Sequence, residues 1–275
     1  MAWNVVDAAG RHVRLPVFRS RIVSLVPSIT ETLFALGLGE RLVGVTRYCT
    51  EPGEGVAHKV TVGGSKDPNL STIQFLQPDL VIANMEENRH EDVAALEAMG
   101  IAVYTTYPRT VAQGIAMVRE LGHLTGTVEK ADAIVGPLEE VRREIATGVE
   151  RETRLRVFCP IWRKPYMSVN RDTYIHDVLQ TCGGENIFAN SRDRYPRVSL
   201  AEVADRGAEV ILLPDEPYPF HPRHLADFQP FEGFIPALAT GRIHFIDGKL
   251  LSWYGPRIGE SLPKLRALLL SRGSP

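Results

Sequence analysis

Apolar residues along this chain fall into two rhythms. Short unbroken runs bounded by proline, glycine or charge read as buried strands: RIVSLVPS (21–28), LVIAN (80–84), IAVYT (101–105), and runs over 155–161, 210–213 and 243–246. A shorter strand is predicted over 43–46, and a hairpin pairs 3–7 with 12–15 around Ala8-Ala9-Gly10. Residues 31–37, 70–76, 91–99, 174–182 and 258–271 read as helices among them. The longest helical stretch is TVEKADAIVGPLEEVRREIATGVERE, 127–152. There Val128, Ala131, Ile134, Val135, Leu138, Val141 and Ile145 recur at helical spacing with charge between them. Thr127 offers a cap, Gly148 marks an end, and Pro137 predicts a bend because it removes a donor and crowds the preceding turn. About twenty helical residues span roughly 30 Å.

The order strand, helix, strand recurs on both sides of this helix. The pattern therefore predicts an α/β protein with two parallel-sheet lobes joined by a single long backbone helix. The lobes are expected at 1–126 and 153–275, with the connecting helix at 127–152, and a rigid strut between lobes leaves a cleft for a ligand.

Composition narrows the class. At 44% hydrophobic and 23% charged, the 275 residues can bury a full core. Thirty-one Lys and Arg against 33 Asp and Glu give no electrostatic reason for nucleic acid or an anionic membrane as partner. Cys49, Cys159 and Cys182 are scattered without a C-x-x-C pair, so no disulfide framework is expected. No run approaches eighteen apolar residues. The first sixteen residues lack the basic start and apolar run of a secretory signal, which together with three unpaired cysteines predicts a cytoplasmic protein. A periplasmic or membrane-anchored location is the alternative if the N-terminus is trimmed.

Catalytic motifs are absent from the pattern. There is no G-x-S-x-G, and Ser65 after Gly63-Gly64 has no identifiable base. Gly37, Gly39 and Gly44 close a helix where a dinucleotide fingerprint would open one. His221 and His224 could share a metal on a turn, although a surface loop is the better reading of their proline-rich surroundings. What remains is a set of loops following strands. Pro27 and Ser28 lie where a strand end meets a helix start, the place where open α/β sheets present ligand sites. Tyr48, Trp162, Trp253 and Tyr254 offer flat apolar surface, while Arg47, Lys66, Arg163, Arg197 and Arg257 offer donors for carboxylate or phosphate.

The segment RIVSLVPSITE (21–31) resembles the opening motif of the helical-backbone metal receptors, the substrate-binding proteins of ABC importers for cobalamin, haem and iron siderophores. QPDLVI (77–82), CGGENIF (182–188) and GPRI (255–258) extend the likeness, which is nearest to the cobalamin-binding branch. The resemblance implies a non-catalytic binding protein that holds cobalamin or another metal chelate, such as an iron chelate, between two lobes, with no cofactor and no metal ligated by the protein. It carries Pro27, Ser28, Tyr48 and Arg257 as ligand contacts, and pattern adds Trp162, Trp253 and Tyr254 in the same loops. Tryptophans flanking the corrinoid in that branch are replaced here by Lys66 and Asn84, which complete the expected ligand-binding set. The lobe glutamates that dock on the importer match His90 and Ala201, with Glu91 and Glu202 one residue further on. The expected partners are thus a chelate or corrinoid and, through Glu91 and Glu202, an ABC importer, with the chain a monomer. The competing expectations are a chelatase-like enzyme processing a metallocofactor, or an intracellular sensor or carrier on the same scaffold.

Overall fold

A computed structural model describes residues 3–16, 19–150 and 153–271. The chain divides into two compact units: Met1–Pro108, Gly114–Val135 and Tyr254–Pro256 in unit 1, and Arg109–Gln113, Gly136–Trp253 and Arg257–Pro275 in unit 2.

Unit 1 opens with the expected hairpin, β1 (Trp3–Val6) antiparallel to β2 (His12–Leu15). Its turn is closed by Asp7, whose carboxylate accepts from Ala9 N, Arg11 N and the Arg11 guanidinium. Then come β3 (Ile22–Ser24), α1 (Pro27–Ala35), β4 (Leu42–Val45), α2 (Gly53–Val56), β5 (Val60–Thr61), α3 (Leu70–Phe75), β6 (Leu80–Asn84), α4 (His90–Ala98) and β7 (Val103–Thr106). The five strands β3 to β7 form one parallel sheet in the order β5-β4-β3-β6-β7. β3 and β6 are buried at every residue, as strands covered on both faces require, which is why they read as unbroken apolar runs. Ile73, Leu96, Val81 and Val23 meet in the core on one side of this sheet.

Pro27 stops β3 as its missing donor demands, but it is also the first residue of α1, where that donor would have had no partner anyway. The N-cap is Val26, which supplies no side-chain cap. Thr30 turns inward, its Oγ1 within hydrogen-bond distance of Val26 O at 3.1 Å and Ser24 Oγ at 2.9 Å.

α5 (Val111–Thr125) precedes α6 (Val128–Val149), a continuous 22-residue helix with Pro137 inside it. The chain leaves unit 1 for unit 2 within α6, between Val135 and Gly136. Gly148 does not end the helix as expected, and residues 151–152 of the predicted segment lie outside the described residues.

Unit 2 contains β8 (Leu155–Phe158), α7 (Tyr174–Thr181), β9 (Gly184–Asn186), α8 (Leu200–Asp205), β10 (Val210–Pro214), α9 (Pro236–Ala239), β11 (Ile243–Ile246), α10 (Lys249–Ser252) and α11 (Ile258–Leu270). Its four strands are parallel in the order β11-β10-β8-β9. The core is aromatic: Phe158 meets Phe188 edge-on at 5.9 Å, and Phe220 and Phe228 pack with them. α8 starts with a capping box in which Ser199 Oγ accepts from Glu202 N and Glu202 Oε2 accepts from Ser199 N. Among the described residues no helix is long and apolar enough to cross a membrane.

Candidate functional site

Open parallel sheets place ligands at the carboxyl ends of strands where the connections part to opposite sides. In unit 1, α1 carries the chain from β3 to β4 on one side, and α4 carries it from β6 to β7 on the other. The switch point is therefore the end of β3 and β6. In unit 2, α7 leads from β8 to β9 and the segment after β10 leads the opposite way to β11, so the ends of β8 and β10 form the equivalent place.

At the end of β3, the Ser28 Oγ is buried and has no hydrogen-bond partner among the described residues. An orphaned hydroxyl beside a helix start is unusual in a folded protein and marks a place where a ligand atom would be satisfied. After β4, Tyr48 is 53% exposed with the Arg47 guanidinium 5.1 Å from its ring centre. Arg47 Nη2 also donates to both Asp67 oxygens at 2.8 Å. The loop after β5 turns at Gly63, whose φ of +91° suits glycine and whose added Cβ would lie 2.5 Å from Asp67 O. Lys66, exposed in that loop, donates from Nζ to Glu86 O in the loop after β6.

Asn88, which the sequence did not single out, ties these loops together. Its Oδ1 accepts from Asn84 N at 2.8 Å, and its Nδ2 donates to Ser65 O at 2.9 Å and Leu25 O at 3.3 Å. Asn84 itself is only 3% exposed. Its Oδ1 accepts from Glu86 N and Glu87 N, and its Nδ2 donates to Thr106 Oγ1 and to the Tyr254 hydroxyl at 2.8 Å. The amide expected to face a ligand is thus occupied in holding the loop.

In unit 2, the chain after β8 folds into a small antiparallel patch, with Trp162 opposite Met167 and Met167 opposite Arg197. Trp162 is 44% exposed and meets Tyr218, from the loop after β10, edge-on at 5.5 Å. Beneath it Arg163 grips Asp227 through Nε at 2.7 Å and Nη2 at 2.8 Å, while the Tyr166 hydroxyl donates to Asp227 Oδ2 at 2.8 Å. The Arg163 contact holds the Asp227 carboxyl below the usual range. Burial, then the Asp227 charge, pushes the Tyr166 hydroxyl upward.

His221 and His224 are not arranged as a metal pair. His224 Nδ1 accepts from His221 N at 3.1 Å and its Nε2 lies 3.3 Å from Arg223 Nε, so both ring nitrogens are engaged. Burial and the neighbouring arginines push its pKa down.

Trp253 and Tyr254 are each 5% exposed, so the loop before α11 presents them inward. Trp253 has Lys249 Nζ 5.3 Å and Arg257 Cζ 5.2 Å from its ring centre, and Arg257 Nη1 also reaches Glu260 at 3.5 Å. Of the expected set, Tyr48, Lys66 and Trp162 offer open surface. Pro27, Ser28, Asn84, Trp253 and Tyr254 are buried, and Arg257 is partly so. Tyr195 and Tyr218 were missed. Alternation in residues 195–198 could have found the first, since Tyr195 and Arg197 are exposed while Pro196 and Val198 are buried.

A family model described as periplasmic binding protein matches residues 22–250. The chain belongs to the periplasmic binding protein family. Within it, the chain is 29% identical over 197 residues to the vitamin B12-binding protein of Vibrio cholerae serotype O1, covering 72% of this chain and 71% of that protein. It is 32% identical over 196 residues to the vitamin B12-binding protein of Yersinia pestis, covering 70% and 69%. Among solved structures, the periplasmic vitamin B12 binding protein BtuF of Vibrio cholerae superposes with a TM-score of 0.80 at 24% identity, covering 91% of this chain and 96% of that one. The periplasmic haem-binding protein BhuT in complex with two haems gives 0.78 at 22% identity, covering 90% and 97%. At these identities the solved structures speak for the fold.

The cytoplasmic expectation is corrected by these findings, since the family and both solved relatives are described as periplasmic. The cysteine argument fails on physical grounds. All three thiols are free and buried, and burial pushes Cys159 and Cys182 up to about 12, which leaves them protonated and unreactive in any compartment.

Proposed function

We propose that the chain is a periplasmic substrate-binding protein that presents a corrinoid or another metal chelate, such as haem, to an ABC importer without chemically altering it. Family membership and the vitamin B12-binding relatives support the class. The observation that carries the ligand reading is the open indole of Trp162 at the switch point of unit 2, set against Tyr218 and backed by the Arg163–Asp227 pair. A flat apolar surface fixed on a hydrogen-bonded patch suits a planar chelate. Tyr48 and Lys66 supply the corresponding open surface on unit 1. The buried Ser28 hydroxyl, at the start of α1 behind Pro27, is the further polar contact on unit 1. Asn84 holds the loop after β6 and donates to the Tyr254 hydroxyl, while Trp253 and Arg257 pack on each other in the loop before α11. Glu91, in the first turn of α4, and Glu202, whose carboxylate closes the α8 capping box, are the acidic groups offered to the importer.

Titration of the purified protein with cyanocobalamin and with haemin, read by tryptophan fluorescence and ligand absorbance, tests the proposal. Saturable binding of at least one is expected. Covering an aromatic ring contributes about 1.5–3 kcal/mol, so Trp162→Ala should weaken that binding roughly tenfold or more with the melting temperature little changed. Binding of neither chelate would overturn the reading, and an unchanged affinity in a folded Trp162→Ala variant would remove Trp162 from the site.

A further inference from the structure

We infer that Arg197 makes the site selective for an anionic ligand: a planar chelate whose ring lies on Trp162 and whose carboxylate or phosphate is bound by the Arg197 guanidinium. The inference rests on the ligand-binding reading given above and narrows it to a charge class.

The geometry comes from the small antiparallel patch after β8. Ser168 N donates to Pro196 O at 3.0 Å and Val198 N donates to Tyr166 O at 2.9 Å. These two bonds flank Met167 and Arg197, which makes them a directly opposed pair without hydrogen bonds between them, the kind in which side chains lie closest and on one face. Met167 is opposite Trp162 in turn. Trp162, Met167 and Arg197 therefore share a face on successive rungs. With neighbouring strands about 4.8 Å apart, the Arg197 backbone lies roughly 10 Å from that of Trp162. That is the reach of a macrocycle with a charged substituent at its rim.

The alternation agrees. Tyr166, Ser168, Pro196 and Val198 point to the covered side, with Tyr166 packed on Phe158, whereas Arg197 and Tyr195 are exposed.

The charge on this face is available. Arg163 is held bidentate by Asp227, and Arg194 lies 5.7 Å from the Tyr195 ring centre. Arg197, by contrast, makes no side-chain hydrogen bond or ion pair among the described residues. A guanidinium on a hydrogen-bonded patch, beside an open indole, has its planar fork ready for a carboxylate or phosphate.

The test compares haemin, which carries two carboxylates, with haemin dimethyl ester, which has the same ring without them. Affinities are measured by absorbance titration for the wild type, Arg197→Gln and Trp162→Ala. The wild type is expected to bind haemin at least tenfold more tightly than the ester. Arg197→Gln should bring haemin to the level of the ester while leaving ester affinity unchanged, and Trp162→Ala should weaken both. Equal wild-type affinities for acid and ester, or an acid-to-ester ratio unaltered in Arg197→Gln, would overturn the inference while leaving ligand binding intact. Wild-type binding of cyanocobalamin with none of haemin would do the same. A wild type that binds none of the three chelates overturns the ligand-binding reading, and this inference with it.

Discussion

Asp227 is the residue on which the strand-end architecture of unit 2 converges. It accepts from two guanidinium nitrogens of Arg163 and from the Tyr166 hydroxyl, and it keeps Arg163 beneath the exposed Trp162. Hydrogen bonds to charged groups contribute about 1.5–3 kcal/mol, so Asp227→Asn should lower stability by roughly that amount near neutral pH. The pH dependence has a definite sign. Arg163 depresses the folded-state pKa of Asp227, so the stabilisation is fully present above the ordinary aspartate value of about 3.9 and is lost as pH falls through the lower folded value. Urea unfolding of wild type and Asp227→Asn should show a difference near pH 7 that shrinks as pH falls below the ordinary aspartate value. A difference that grows on acidification would contradict the pairing.

Asn88 plays the matching part in unit 1, where one amide joins the ends of β3 and β6 to the loop holding Lys66. Asn88→Ala would leave Asn84 N, Leu25 O and Ser65 O without these partners, at a cost of about 1–3 kcal/mol. Thermal unfolding would show this as a lowered midpoint, and an unchanged midpoint would mean that the three loops hold without it.

At the scale of elements, α6 carries an unusual pair at one of the points where the chain changes unit. Gly136 and Pro137 are both exposed, and a Cβ at Gly136 would meet nothing within 4 Å. Glycine inside a helix costs about 0.5–1 kcal/mol relative to alanine, so Gly136→Ala should raise stability by that amount in denaturant unfolding. A loss of stability would show that the local backbone is not ordinary helix.

Much of the element plan was legible beforehand, because buried parallel strands are written as apolar runs: LVIAN coincides with β6, buried at every residue. IHFI coincides with β11, an edge strand in which only Ile246 is buried, and its β-branched and aromatic residues mark it instead. The failures have separate causes. β9 is Gly-Glu-Asn, a sequence with no strand preference, and it is extended because β8 supplies a partner. α1 begins at Pro27, earlier than expected, since a proline that ends a strand can also be the first residue of a helix. The site was less legible than the fold. Aromatic and amide residues look alike in sequence whether they line a surface or fill a core, and only tertiary contacts separate open Trp162 from buried Trp253, or Lys66 from Asn84.

For the molecule as a whole, the division of labour is clear in the contacts. Two independently cored parallel sheets each end in a switch point, and the loops there are fixed by buried side chains while a few aromatic and cationic groups stay open. Ligand binding at those strand ends is the central claim. Hydrogen–deuterium exchange of the intact protein with and without saturating haemin or cyanocobalamin, whichever titration finds bound, tests it most directly. Peptides covering residues 46–52, 85–89, 161–167 and 195–198 should become protected, with the remainder of each unit little changed. Protection confined to other surfaces, such as the pocket lined by Leu225, Phe228, Glu232 and Ile243, would contradict it.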